Sequence, residues 1–92
     1  ASVRYLAHEL GPAGIRVNAI SAGPVRTRAA SGIDHFDELV AESARASALR
    51  RPVTQCEVGR VALMLASDYA AGISGEVVHV DAGFHISGMV FH

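Results

Sequence analysis

Two short apolar runs constrain this chain more than any other feature. Residues 15–21 read Ile-Arg-Val-Asn-Ala-Ile-Ser and residues 76–81 read Glu-Val-Val-His-Val-Asp. Both are rich in β-branched residues; the first lies between Gly14 and Gly23-Pro24 and the second between Gly75 and Gly83, so both are predicted strands. Ile15, Val17 and Ala19 alternate with polar residues at first, but Ala19-Ile20 is apolar on both faces. A strand buried on both faces belongs to a parallel sheet covered by helices. Helical patterns precede and separate the runs, so the order is α-β-loop-α-α-β. Strands alternating with helices specify an α/β fold with a parallel, doubly wound sheet. Two strands alone would leave edges and faces bare. The expectation is therefore a C-terminal part, with two strands and about three helices, of one larger domain.

The helices follow from local chemistry. Val3, Leu6, Ala7 and Leu10 share a stripe, predicting a helix over 1–10 that Gly11, in a left-handed conformation, and Pro12 would end. No cap residue stands before Ala1, so the first residues read as the middle of something longer, with a processed terminus as the alternative. Asp34 is predicted to cap a second helix whose Phe36, Leu39, Val40 and Ser43 share a face while Glu38, Glu42 and Arg45 meet water. Thr54-Gln55-Cys56-Glu57 is a capping box opening a third helix that runs to about Ser67. The tail from Phe84 to His92 is apolar and weakly patterned.

Several functional classes are disfavoured. The charge is balanced, with 8 basic and 9 acidic residues and a net charge of -1, so nothing recommends a nucleic acid or a membrane surface as partner. No apolar run approaches the roughly 20 residues that span a bilayer. Cys56 has no second cysteine to pair with in this sequence, which fits a reducing compartment; it is expected to be a structural, partly buried thiol. His8, His35, His79, His85 and His92 show no metal-ligand spacing and read as surface or core residues. Asp81 reads as a turn residue.

The stretch 18–33, Asn-Ala-Ile-Ser-Ala-Gly-Pro-Val-Arg-Thr-Arg-Ala-Ala-Ser-Gly-Ile, is where chemistry concentrates. In open α/β sheets ligands bind beyond the carboxyl ends of the strands, and this stretch leaves such an end directly. Gly23 lets backbone approach a flat ligand, Pro24 stiffens the turn, and the Val25 N–H and C=O are placed to meet an amide edge. Thr27 offers a hydroxyl; Arg26 and Arg28 offer charge near phosphates. Ala29, Ala30 and Gly32 leave room above the ligand. An ordinary connecting loop with two solvated arginines fits the same letters.

The segments at 16–33 (RVNAISAGPVRTRAASGI) and 50–84 (RRPVTQCEVGRVALMLASDYAAGISGEVVHVDAGF) together resemble the C-terminal part of the bacterial NADH-dependent enoyl-[acyl-carrier-protein] reductases, a divergent branch of the short-chain dehydrogenase/reductase family. The Gly-Pro order of Gly23-Pro24, where ordinary members of that family carry Pro-Gly, is typical of the enoyl reductases. The resemblance implies a Rossmann-like fold and reduction of trans-2-enoyl-acyl-carrier-protein with NADH in fatty-acid elongation, by a cytoplasmic homotetramer. It implies cofactor contacts from Gly23, Pro24, Val25, Arg26, Thr27, Arg28 and Ala29, with Val25 gripping the nicotinamide carboxamide through its backbone. Ala29, Ala30, Ile33, Phe36 and Leu39 would line the acyl pocket, on a loop and helix that order when ligands bind. The apolar face of Ile33, Phe36 and Leu39 serves equally as core packing.

Two positions depart from the pattern. Arg28 stands where a hydrophobic residue is usual, and Leu39 where Met is common. The family's catalytic Tyr and Lys are expected upstream of Ala1: Tyr5 falls after the place of the Lys, Tyr69 sits in a turn, and no Gly-x-Gly-x-x-Gly occurs in the sequence. The alternatives are another short-chain reductase, such as a 3-oxoacyl-acyl-carrier-protein reductase, or a catalytically inactive fragment. Residues 1–92 alone are expected to fold poorly, lacking the sheet that their helices cover.

Overall fold

The computed structural model describes residues 2–25 and 35–90, with the side chains of 88–90 set aside. Four α-helices and two strands alternate: α1 (Ser2–Leu10), β1 (Ala19–Ala22), α2 (Phe36–Ala46), α3 (Gln55–Ala66), β2 (Val77–Val80) and α4 (Phe84–Val90). The strands pair in parallel, with Ala19 opposite Val77 and Ala22 opposite Val80. This is the predicted order with one helix added: the tail from Phe84 is helical, and α4 packs on α2.

Both strands are shorter than the apolar runs, and for β1 the reason lies in long-range bonds. Between Ile15 and Asn18 the backbone is held mostly by the α3–β2 connection. The Val17 N–H donates to Ser74 Oγ at 3.2 Å and the Val17 C=O accepts from the Gly75 N–H at 2.8 Å. The ladder begins only at Ala19, whose N–H donates to the Glu76 C=O at 2.9 Å. The polar residues of the first run brace the same connection. Arg16 Nη1 donates to the Leu65 C=O at 2.9 Å and Asn18 Nδ2 to the Ile73 C=O at 3.0 Å; Asn18 Oδ1 accepts from the Glu76 N–H at 3.1 Å. Arg16 thereby satisfies a carbonyl left open at the C-terminus of α3.

The helix boundaries follow the local chemistry with three corrections. Gly11 is not left-handed. Residues 11–13 make one 3₁₀ turn and Gly14 takes the left-handed place, with φ +80°. Pro12 permits this because its missing N–H falls in the first turn, where none is needed. The residue at the N-cap of α2 is His35, at φ +66° with no side-chain cap hydrogen bond; Asp34 lies outside the described residues. Cys56 is exposed, not partly buried, because it stands on the outer side of the first turn of α3. The capping box at Thr54 is formed as read: Thr54 Oγ1 accepts from the Glu57 N–H at 3.1 Å and Glu57 Oε1 from the Thr54 N–H at 2.9 Å.

The core is thin. Val40, Val53, Leu65, Ala70 and Ala82 are buried, and the largest fully buried side chain among the described residues is Ser47. Ser47 is satisfied by donating from Oγ to the Ala44 C=O at 2.9 Å. As expected of two strands alone, faces are left partly bare: along β2, Val77 and His79 are exposed and Val78 and Val80 half-buried. Helix α3 packs on both strands. Apolar side chains such as Tyr5, Ile15, Leu63 and Ile86 are left open.

Candidate functional site

A cleft of about 730 Å³ opens beyond the carboxyl ends of the two strands. Its floor is the end of β1 running into the corner, Ser21 to Pro24; α2 supplies Leu39, Glu42, Ser43 and Ala46; β2 and α4 supply His79, Asp81, Phe84 and His85. The placement follows from topology, since parallel strands bring both carboxyl ends to one edge.

Of the predicted site residues, Gly23, Pro24 and Leu39 line this cleft. Leu39 is 53% exposed, so the apolar face of α2 is divided: Leu39 is turned to the opening and Val40 to the core. Val25 follows Pro24 and is half-buried. Among the described residues its N–H and C=O have no hydrogen-bond partner. Phe36 is half-buried at the start of α2 and does not line the cleft. Arg26, Thr27, Arg28, Ala29, Ala30 and Ile33 lie outside the described residues.

Gly23 lies beside the end of β2. A Cβ there would stand 3.4 Å from Asp81 Cβ and 3.5 Å from Asp81 Cα, and 3.8 Å from Val53 Cγ2, which are ordinary van der Waals distances, so nothing within the described residues bars a methyl group at this position. The Gly23 N–H also donates to the Val80 C=O at 3.2 Å. The corner is thus set against the β2–α4 turn.

That turn holds a group that sequence reasoning passed over. The Asp81 carboxylate accepts from the Gly83 N–H at 3.0 Å and the His85 N–H at 3.2 Å, and His85 Nδ1 lies 3.1 Å from both its oxygens. His79 Nδ1 is 3.9 Å from Asp81 Oδ2, and the two imidazoles stack with centroids 4.0 Å apart and planes 11° from parallel. Burial pushes the Asp81 carboxyl up, but the His85 ring and the two backbone N–H groups outweigh it and hold the pKa below the ordinary value. The signal was present as His-x-Asp-x₃-His. Alternate residues of a strand share a side, and residues four apart meet on a helix. The pattern changes period where β2 gives way to α4, which the tail's weak patterning concealed.

The relatives agree with this architecture. Residues 1–85 match the family described as Enoyl-(Acyl carrier protein) reductase. The chain is 57% identical over 89 residues to the Escherichia coli enoyl-[acyl-carrier-protein] reductase [NADH] FabI, covering 97% of the chain and 34% of that protein. Two solved structures superpose closely. The Bacillus cereus enoyl-acyl carrier protein reductase with NADP+ and indole naphthyridinone has a TM-score of 0.83 and 54% identity, over 92% of this chain and 33% of that one. The Anaplasma phagocytophilum reductase in complex with NAD has a TM-score of 0.80 and 48% identity, over 92% and 30%. The chain spans about a third of the length of the curated relatives it matches. Its two parallel strands and their helices are part of a Rossmann-like α/β fold, and the chain belongs to the enoyl-(acyl carrier protein) reductase family.

Proposed function

We propose that the protein carrying this chain reduces trans-2-enoyl-acyl-carrier-protein with NADH during fatty-acid elongation, and that this chain forms the nicotinamide side and part of the acyl side of its site. One observation carries the reading: Gly23-Pro24 stands at the shared carboxyl ends of two parallel strands, lining a cleft of about 730 Å³ that Leu39 also lines, and Val25 follows directly. A cleft of that size suits a cofactor ring with a substrate end. The Val25 N–H and C=O meet the carboxamide edge, and Pro24, with no N–H of its own and a fixed φ, keeps the corner stiff. Arg26, Thr27, Arg28 and Ala29 continue the cofactor side, with arginine charge near the phosphates. Ala29, Ala30, Ile33 and Leu39 form the acyl side, without Phe36, which does not line the cleft. The dinucleotide, when bound, supplies hydride.

The relatives named as NADH enzymes support NADH as the donor, although the Bacillus cereus structure holds NADP+. Proton transfer belongs to a Tyr and Lys outside this chain. A homotetramer in the cytoplasm completes the proposal; among the described residues no helix is long and apolar enough to cross a membrane.

The test is NADH oxidation by the complete polypeptide, followed by absorbance, with a trans-2-enoyl-acyl-carrier-protein and separately with a 3-oxoacyl-acyl-carrier-protein. The expected result is turnover of the enoyl substrate. Turnover of only the 3-oxo substrate moves the protein to the other branch of short-chain reductases, and turnover of neither overturns the proposal. Gly23→Val should raise KM for NADH at least about tenfold, since a misplaced corner costs positioning.

A further inference from the structure

The cluster on the β2–α4 turn supplies chemistry that dinucleotide and acyl binding leave unused. His79, Asp81 and His85 each present one donor atom, and these atoms all lie within 4.8 Å of one another. We infer that the three form a site for a borderline transition-metal cation, of which Zn²⁺ is the type. The inference rests on the cluster alone and stands or falls apart from the dinucleotide reading.

Three observations carry it. The first is spacing. Bonds of about 2.0–2.1 Å to imidazole nitrogen and carboxylate oxygen in a tetrahedron place neighbouring donors roughly 3.3–3.4 Å apart. The separations from Asp81 oxygen are 3.1 Å to His85 Nδ1 and 3.9 Å to His79 Nδ1, which bracket that figure. The second is support. The carboxylate is only 9% exposed and is held by the Gly83 and His85 N–H groups, the kind of outer hydrogen bonding that orients a ligand. The third is access. The His79 and His85 side chains are 40% and 42% exposed on the wall of the cleft, so a cation can enter and the rings can tilt from their stack until their lone pairs converge.

The donor set selects the ion. Two imidazoles and one carboxylate suit Zn²⁺, Co²⁺, Ni²⁺ or Cu²⁺, whereas Mg²⁺ prefers oxygen donors and keeps its waters. Water completes the shell from the open side. A bound cation would tie the end of β2 to α4, in the wall that also braces Gly23.

The experiment uses the complete polypeptide, freed of metal with a chelator and titrated calorimetrically with Zn²⁺, and with Mg²⁺ as the contrast. One equivalent of Zn²⁺ per chain is expected, with no Mg²⁺ uptake. His79→Gln and His85→Gln should each weaken binding at least about tenfold, and the double variant should abolish that equivalent. A wild type that takes up no stoichiometric Zn²⁺, or a double variant of undiminished affinity, overturns the inference. Cu²⁺ loaded onto the unmodified protein gives a reading free of folding effects. Nitrogen splitting from two imidazoles in its electron paramagnetic resonance spectrum is expected, and splitting from one or none overturns the site.

Discussion

Gly83→Ala is the substitution that should damage this fold most for its size. Gly83 lies at φ +83°, directly after Ala82 at φ +58°, so two consecutive left-handed residues turn β2 into α4. A Cβ on Gly83 would come 2.6 Å from Ala48 Cβ and 3.5 Å from the Ala48 nitrogen. Carbon atoms pack best at about 3.5–4.0 Å, so the new methyl is roughly 1 Å too close. Ala48 cannot step aside easily. Its neighbour Leu49 donates its N–H to the Ala82 C=O at 2.9 Å, and Ser47 on its other side is buried. The left-handed conformation costs alanine about 1–2 kcal/mol, and overpacking of this kind a further 1–3 kcal/mol or so. The smaller entropy of the unfolded alanine chain returns about 0.4–1 kcal/mol. The net loss is about 1–4.5 kcal/mol.

In the complete polypeptide each kcal/mol lowers Tm by roughly 2–4 °C, so the variant should melt roughly 2–18 °C below the parent. Thermal denaturation followed by circular dichroism reads this directly. Gly59→Ala supplies the opposite sign. Gly59 sits inside α3 with nothing within 4 Å of its Cβ position, and alanine there should add roughly 0.5–1 kcal/mol. A Gly83→Ala protein melting within about 1 °C of the parent would refute the reasoning; so would a Gly59→Ala protein destabilised as much as Gly83→Ala.

Two further outcomes follow from the start of α3. Thr54→Ala removes one half of the capping box and should cost about 1 kcal/mol, read as a lower urea midpoint at unchanged slope. Arg51 Nη1 and Nη2 donate to the two Glu57 oxygens at 2.9 and 2.8 Å, and this pairing, with the Thr54 N–H, lowers the Glu57 pKa from 4.5 to about 2. A depressed carboxyl stabilises the folded state in full above its unfolded pKa and loses that contribution as pH falls toward its folded one. Tm should therefore show a Glu57-dependent decline between about pH 4.5 and 2. The component should be absent in Glu57→Gln and weakened by salt, because the pair is solvent-facing. An identical acid profile in Glu57→Gln would remove Glu57 from the account.

What the sequence disclosed about the fold was what short-range chemistry decides. The capping box at Thr54 needs only residues three apart, and it formed as read. Long-range bonds decided what was missed. Nothing in the letters Ile15 to Asn18 says that Ser74, Gly75 and Glu76 will hold them outside most of the ladder; that depends on where the α3–β2 connection returns. Gly11 and Gly14 flank one proline and are equally fit for a left-handed place, and only the extra 3₁₀ turn separates them. Helix α4 escaped because its apolar residues have a weak period; what starts it is the Asp81 carboxylate binding the N–H groups of Gly83 and His85.

The site divides in the same way. The Gly-Pro corner was legible as a corner because its signal is local: a glycine, a stiff turn, then a residue whose backbone is available. The wall opposite was not, because it is assembled from β2, α2 and α4 meeting over the strand ends. The structure joins the two parts through Gly23, whose N–H reaches the C=O of Val80, the residue before Asp81. Asp81 in turn is held by the turn that Gly83 makes possible. A change at Gly83 should therefore reach the corner without touching it, and KM for NADH in Gly83→Ala should rise even well below its melting temperature. A Gly83→Ala enzyme that loses stability but keeps its parent KM would show that the corner holds its shape without that support.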